Sequence, residues 1–151
     1  MTDATLVARL QRNDHAAYDA LVAQYGDVLY SYLYQSTLDR KRSEALLNAT
    51  FARVVEQIDG YPTGLSMVVW LYRIAHTVLR DANIAPPHRA CESRHVITML
   101  DALSIEERQV IVLRCIAALS LHEVGYVLGK SNAAVRQLQF QAMQAFHAWR
   151  R

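Results

Sequence analysis

A chain of 151 residues, 52% hydrophobic and 20% charged, has the makeup of a soluble globular protein, with room for one ordinary domain or two small ones. No apolar run approaches the roughly 20 residues needed to span a bilayer, and the opening MTDATLVARLQRND lacks a secretory apolar segment, so no membrane insertion and a cytoplasmic address are expected. The net charge of +2 excludes nucleic-acid binding by bulk electrostatics alone; it divides into +3 from Ser104 onward and −1 before it, so any backbone attraction belongs to the C-terminal part.

Helical periodicity runs through the chain and no segment alternates at period two, which predicts an all-α protein. Leu6, Val7 and Leu10 fit a short first helix. Tyr18, Leu21, Val22, Tyr25, Val28, Leu29, Tyr32 and Leu33 form a stripe over about four turns. Leu47, Phe51, Val54 and Ile58 give a third helix. The segment Asp59-Gly60-Tyr61-Pro62-Thr63-Gly64 breaks the pattern, because glycine and proline lower helix propensity and proline removes a donor. A fourth helix then buries Met67, Trp70, Leu71, Ile74 and Val78. After Ala82 the periodicity stops at Pro86 and Pro87, so residues 1–83 are expected to form one helical domain, 84–94 a linker, and 95–151 a second domain.

The second domain is expected to begin with a short helix at His95 to Ala102. A Ser104-x-x-Glu107 capping box then opens a helix through Val110, Leu113 and Ile116. In LSLHEVGYVLGKSNAAVRQL (Leu119 to Leu138), Ser120 and Glu123 form a second capping box. Val124, Val127 and Leu128 give an apolar stripe, Gly129 supplies a left-handed stop, and Ser131 caps the next helix at once. Val135, Leu138, Ala142 and Phe146 carry that last helix onward. Two helices joined by so tight a turn have the geometry that sets a recognition helix in the DNA major groove. Asn132, Gln137, Gln139, Gln141 and Gln144 suit either base edges or an uncharged solvent face. Phe140 and Met143, on the expected outer surface, suit a protein partner better than DNA.

No catalytic arrangement stands out, and no phosphate-binding glycine loop occurs, so a non-enzymatic protein without a cofactor is expected. Cys91 and Cys115 are too few for a disulfide framework and are expected as free thiols. His88, Cys91 and His95 are spaced H-x2-C-x3-H, with Cys115 a conceivable fourth zinc ligand; the spacing is not that of a standard finger, and ordinary linker residues are the expected reading.

Four pieces in order carry a resemblance over nearly the whole chain: Leu6 to Leu33, ATFARV after SEALLN (Ser43 to Val54), WLYRIA followed by Asp81, and the Leu119 to Leu138 motif. Together they resemble a bacterial RNA polymerase sigma factor of the small, two-domain extracytoplasmic-function (ECF) type, as a divergent member. The resemblance implies that the first domain binds core RNA polymerase and melts the minus-ten promoter element, while the helix-turn-helix reads the minus-thirty-five element. Carried onto this sequence, Glu44, Leu47, Asn48 and Phe51 would meet polymerase. Arg73, His76 and Arg80, with Trp70, would face promoter DNA on the first domain, and Lys130, Ser131, Asn132, Arg136 and Gln137 on the second. The implied partners are core polymerase, promoter DNA and an anti-sigma-like regulator. The chain departs from the family at polar positions, with Ala45, Asn48 and Ala49 near the polymerase contact and few cations in the recognition helix. The alternative is therefore a sigma-like protein acting mainly by protein binding, with weak or no promoter recognition.

Overall fold

In the computed structural model, which describes residues 2–62, 64–82 and 103–150, the described residues form helices and turns with no strand. Helix α1 spans Asp3–Gln11, α2 His15–Thr37, α3 Arg40–Gln57 and α4 Met67–Asp81, with a 3-10 turn at Ile58–Gly60. Helix α5 spans Ile105–Ile111 and runs into a π turn at Val112–Ile116; α6 spans Leu121–Leu128 and α7 Asn132–Arg150. The expected linker, the helix at His95 to Ala102 and the His88, Cys91, His95 trio lie outside the described residues.

Local chemistry sets most boundaries. Thr2, Asp14 and Asp39 each cap the following helix by accepting from Thr5, Ala16 and Arg42 N–H. The N-terminus of α4 is capped from a distance: Asp3 Oδ2 accepts the Met67 N–H at 3.1 Å, while Asp3 Oδ1 accepts from the Tyr25 hydroxyl at 3.3 Å. That one carboxylate joins three helices. It also raises the Tyr25 hydroxyl pKa to about 12, after desolvation by burial as the larger cause.

The apolar residues assigned to α1 and α4 are buried. On α2, Leu21, Leu29, Tyr32 and Leu33 are fully buried, but Val22 and Val28 remain 37% and 40% exposed despite lying on the counted stripe. One continuous apolar cluster runs from Leu6 in α1 to Val135 in α7. It crosses from the N-terminal helices to the C-terminal ones through α4, which packs against α2 and α3 and also against α6. Polar contacts follow the same crossing: Arg108 Nη1 donates to Gln35 O at 3.0 Å and Gln109 Nε2 to Ser36 Oγ at 3.2 Å.

The helix ending at Ile116 does not continue as an α-helix. Ala117 N–H reaches back to Val112 O at 3.0 Å, a five-residue step, and Ala118 takes a left-handed φ of 56°. The extra residue per turn carries Ile116 off the buried face, leaving it 71% exposed where the simple period expected it inside.

The turn between α6 and α7 depends on Gly125. Its carbonyl accepts from both Gly129 and Lys130 N–H, and a Cβ added there would lie 2.7 Å from the Lys130 carbonyl oxygen. Alanine favours a helix over glycine by about 1 kcal/mol, but an overpacked contact against backbone costs about 1–3 kcal/mol. Gly125→Ala is therefore expected to lower the free energy of unfolding in urea titrations; a stabilised variant would show that the close approach is not required.

Candidate nucleic-acid interface

The helix-turn-helix is assembled as its sequence requires. Ser120 Oγ accepts from Glu123 N–H at 3.1 Å, and Glu123 Oε1 accepts from Ser120 N–H at 2.9 Å, closing the capping box. Gly129 sits at φ 67° and ends α6, and two residues later Ser131 Oγ accepts from Ala134 N–H at 3.1 Å to start α7. Val124, Val127, Leu128 and Val135 are buried, so the outer face of α7 is fixed in direction. Asn132, Arg136 and Gln137 are exposed on it, and Arg136 makes no ion pair among the described residues. Ser131 is exposed but occupied as a cap.

Lys130 is placed differently. Its Nζ lies 3.4 Å from Glu106 Oε1 and borders a cleft of about 530 Å³ together with His76, Leu79, Arg80, Glu106 and Gln109. That cleft separates α4 from the α6–α7 turn. Arg73, His76 and Arg80 lie at i, i+3 and i+7 along α4, so they form one stripe, and the helix-turn-helix half covers most of it. The Arg73 guanidinium lies 4.7 Å from the Tyr126 ring centroid and donates to the Tyr126 carbonyl oxygen. His76 is 8% exposed, whereas Arg80 stays exposed at the cleft rim. Trp70 is 5% exposed and packs edge-on against Tyr61. The structure thus gathers Arg73, His76 and Arg80 with Lys130, and it leaves Arg136 and Gln137 on a separate, open face.

His76 is neutral. Its pKa is lowered from 6.5 to about 4 by burial first and then by Arg80, Lys130 and Arg73, with Glu106 opposing. The fully buried Tyr32 hydroxyl is pushed upward by burial and keeps its proton. That proton must be donated, so Tyr32 donates to His76 Nδ1 at 2.8 Å and the imidazole carries its own hydrogen on Nε2.

The set on α3 that the family resemblance assigned to polymerase separates into surface and support. Glu44 and Asn48 are exposed one turn apart and Leu47 is half-buried between them. Phe51 is 3% exposed and packs edge-on against Tyr18 at 6.3 Å, so it holds α3 against α2 and offers no contact surface. Sequence reasoning passed over Tyr126, Arg108 and Gln109, the residues that bind the two halves together. The available signal was an Arg-Gln pair beside the apolar run of α5, since a buried polar side chain needs a partner elsewhere. Cys115 is an exposed free thiol, and no group of three or more metal-ligating side chains occurs among the described residues. No helix there is long and apolar enough to cross a membrane.

Residues 99–146 match the family model for Sigma-70, region 4. The chain is 26% identical to the ECF RNA polymerase sigma factor BldN of Streptomyces coelicolor, over 92% of this chain and 62% of BldN, so it spans less than two thirds of that relative's length. It is 24% identical to the ECF sigma factor SigX of Bacillus subtilis, over 84% of this chain and 80% of SigX. Among solved structures it resembles CnrH in complex with the cytosolic domain of CnrY, at 25% identity and a TM-score of 0.79, covering 97% of this chain and 96% of the other. It shares its fold with the sigma factor RpoE bound to the anti-sigma factor NepR from Bartonella quintana, at 12% identity and a TM-score of 0.73, over 87% and 94% of the two chains.

The burial of neutral His76 sets a pH dependence. Its folded pKa lies below the ordinary value, so the unfolded chain binds the proton first and stability falls as pH drops from 6.5 toward about 4. His76→Gln is expected to flatten that part of the profile in chemical denaturation, and an unchanged profile would remove His76 as its origin.

Proposed function

We propose that this chain is a divergent member of the bacterial extracytoplasmic-function sigma factors, which docks on core RNA polymerase and directs it to promoters. The observation that carries the reading is the complete helix-turn-helix, capped at both starts and stopped at Gly129, lying inside the segment that matches Sigma-70 region 4. Arg136 and Gln137 on the open face of α7 contact the minus-thirty-five element, with Asn132 beside them: arginine by phosphate or guanine contact, the amides by pairing with adenine edges. The α3 surface bearing Glu44, Leu47 and Asn48 meets polymerase. The protein works without catalysis or cofactor, in the cytoplasm.

Arg73, His76 and Arg80 enter later in this reading. Arg73 and His76 are covered by the helix-turn-helix half in the packed arrangement, so promoter melting requires the two halves to part and Tyr126 to release the Arg73 guanidinium. An anti-sigma-like regulator would act by keeping them together; the relatives CnrH and RpoE are solved with CnrY and NepR bound.

Purified full chain added to core polymerase is expected to associate stably and support transcription from a subset of promoters. Association without initiation would leave only the protein-binding alternative. In equilibrium binding to a selected promoter, Arg136→Ala is expected to weaken affinity by about tenfold and to lower the salt dependence by roughly one counterion. An unaltered salt slope would exclude Arg136 from the DNA contact.

A further inference from the structure

The cleft of about 530 Å³ between the two halves has His76, Leu79 and Arg80 of α4 on one wall and Leu128, Gly129 and Lys130 on the other. We propose that it binds a small phosphate monoester, a phosphorylated metabolite with a compact apolar body, whose phosphate is held between Arg80, Lys130 and His76. Arg80 makes no ion pair among the described residues, and its Nη1 stands 4.0 Å from where a Cβ on Gly129 would lie, so the guanidinium hangs over the turn. Lys130 faces it from the turn itself. Glu106, 3.4 Å from Lys130 Nζ, is the one carboxylate among the described residues lining the cleft, and its wall keeps one net positive charge.

His76 supplies the third donor. It is 8% exposed, and with Tyr32 on Nδ1 its Nε2–H has no acceptor among the described residues. No fully buried side-chain nitrogen there lacks a partner, so this N–H opens on the cleft that His76 lines. Three donors set on two walls suit the three free oxygens of a phosphate monoester, whereas a carboxylate offers two oxygens in one plane. Inorganic phosphate alone would leave most of the volume unfilled. Leu79, Leu128 and Ile105 make the remaining wall apolar and call for an organic body beside the phosphate. A nucleic-acid backbone fits less well, because each diester carries a single charge and two free oxygens and the strand would have to run on through a cleft closed by both halves. Since the site takes residues from each half, its ligand binds the packed arrangement and favours it. A ligand that fastens the halves also keeps the α4 stripe covered; that consequence rests on the proposed function, whereas the site itself does not.

Calorimetric titration of the full chain with phenyl phosphate, in a phosphate-free buffer, is expected to show one site, about tenfold or more tighter than for inorganic phosphate. Arg80→Ala and Lys130→Ala, with folding checked by circular dichroism, are expected to weaken it about tenfold or more. Glu106→Gln is expected to bind more tightly, a gain that a damaged fold does not produce. Lys41→Ala, which removes an equal charge from the exposed side of α3, is expected to bind as the unaltered chain does. Absence of binding would overturn the proposal, as would an equal loss in Lys41→Ala or no gain in Glu106→Gln. Methyl phenyl phosphate, a diester, is the competing arm: affinity equal to that of the monoester would assign the cleft to nucleic-acid backbone instead. Hydrogen exchange locates the site, since phenyl phosphate is expected to slow the amides of the last turn of α4 and of Gly129 and Lys130 together; protection on one wall only would overturn it. None of these readouts involves polymerase or a promoter, so their failure leaves the proposed function standing.

Discussion

Helix α4 has almost no free surface, and the remainder of the molecule is arranged around that fact. Ten of its 15 residues are buried, far beyond the single apolar stripe of an ordinary surface helix. A helix enclosed in this way has to satisfy its polar side chains within the protein, because an unpaired buried donor or acceptor costs about 1–3 kcal/mol. Tyr32 serves His76, Tyr126 serves Arg73, and Thr77 returns its hydroxyl to the Arg73 carbonyl. No buried side-chain nitrogen or oxygen lacks a partner among the described residues. Two of these three partnerships could be made with the N-terminal helices alone. The third needs the C-terminal half, and so do the contacts of Arg108 and Gln109 with the end of α2.

Under the proposed function, the shared wall makes recognition compete with packing. The cations on α4 would meet nucleic acid only when uncovered, yet in the packed state Arg73 helps hold the cover on. Arg73 gains a ring face and a carbonyl from Tyr126, and Lys130 shares its cleft with Arg80 while Glu106 offsets the repulsion. Any ligand of that stripe has to supply more than the lost contacts. A polyanion is well suited to do so, because it satisfies the same guanidinium and ammonium groups at once.

The parts of this structure that were readable from the chain are those decided within a turn or two. Ser120, Glu123, Gly129 and Ser131 each act on backbone groups no more than four residues away, so spacing alone specified the helix-turn-helix. Burial on α1 and α4 was readable for a similar reason, since periodicity names a face. It does not say which part of that face receives a neighbour, and Val22 and Val28 on α2 show the difference. The covering of Arg73 and His76 was not legible, because it depends on Tyr126, 53 and 50 residues away along the chain. The family resemblance pointed these side chains toward DNA, and it carries no record of what occupies them when DNA is absent. Nor did any local signal distinguish Phe51 as a support from Leu47 as a surface residue, for both lie on the same apolar stripe.

The π turn at Val112–Ile116 separates chain length from direction. A π step fits five residues where an α-helix fits four, so the extra residue is taken up inside the turn and the chain beyond it leaves at nearly the angle of an uninterrupted helix. A single-residue deletion there would restore a regular helix and leave α6 and α7 facing nearly the same way, whereas the same deletion in the regular part of α5 would swing them by about 100°. The segment is therefore where the chain can change in length by one residue with the least effect on the outer face of α7.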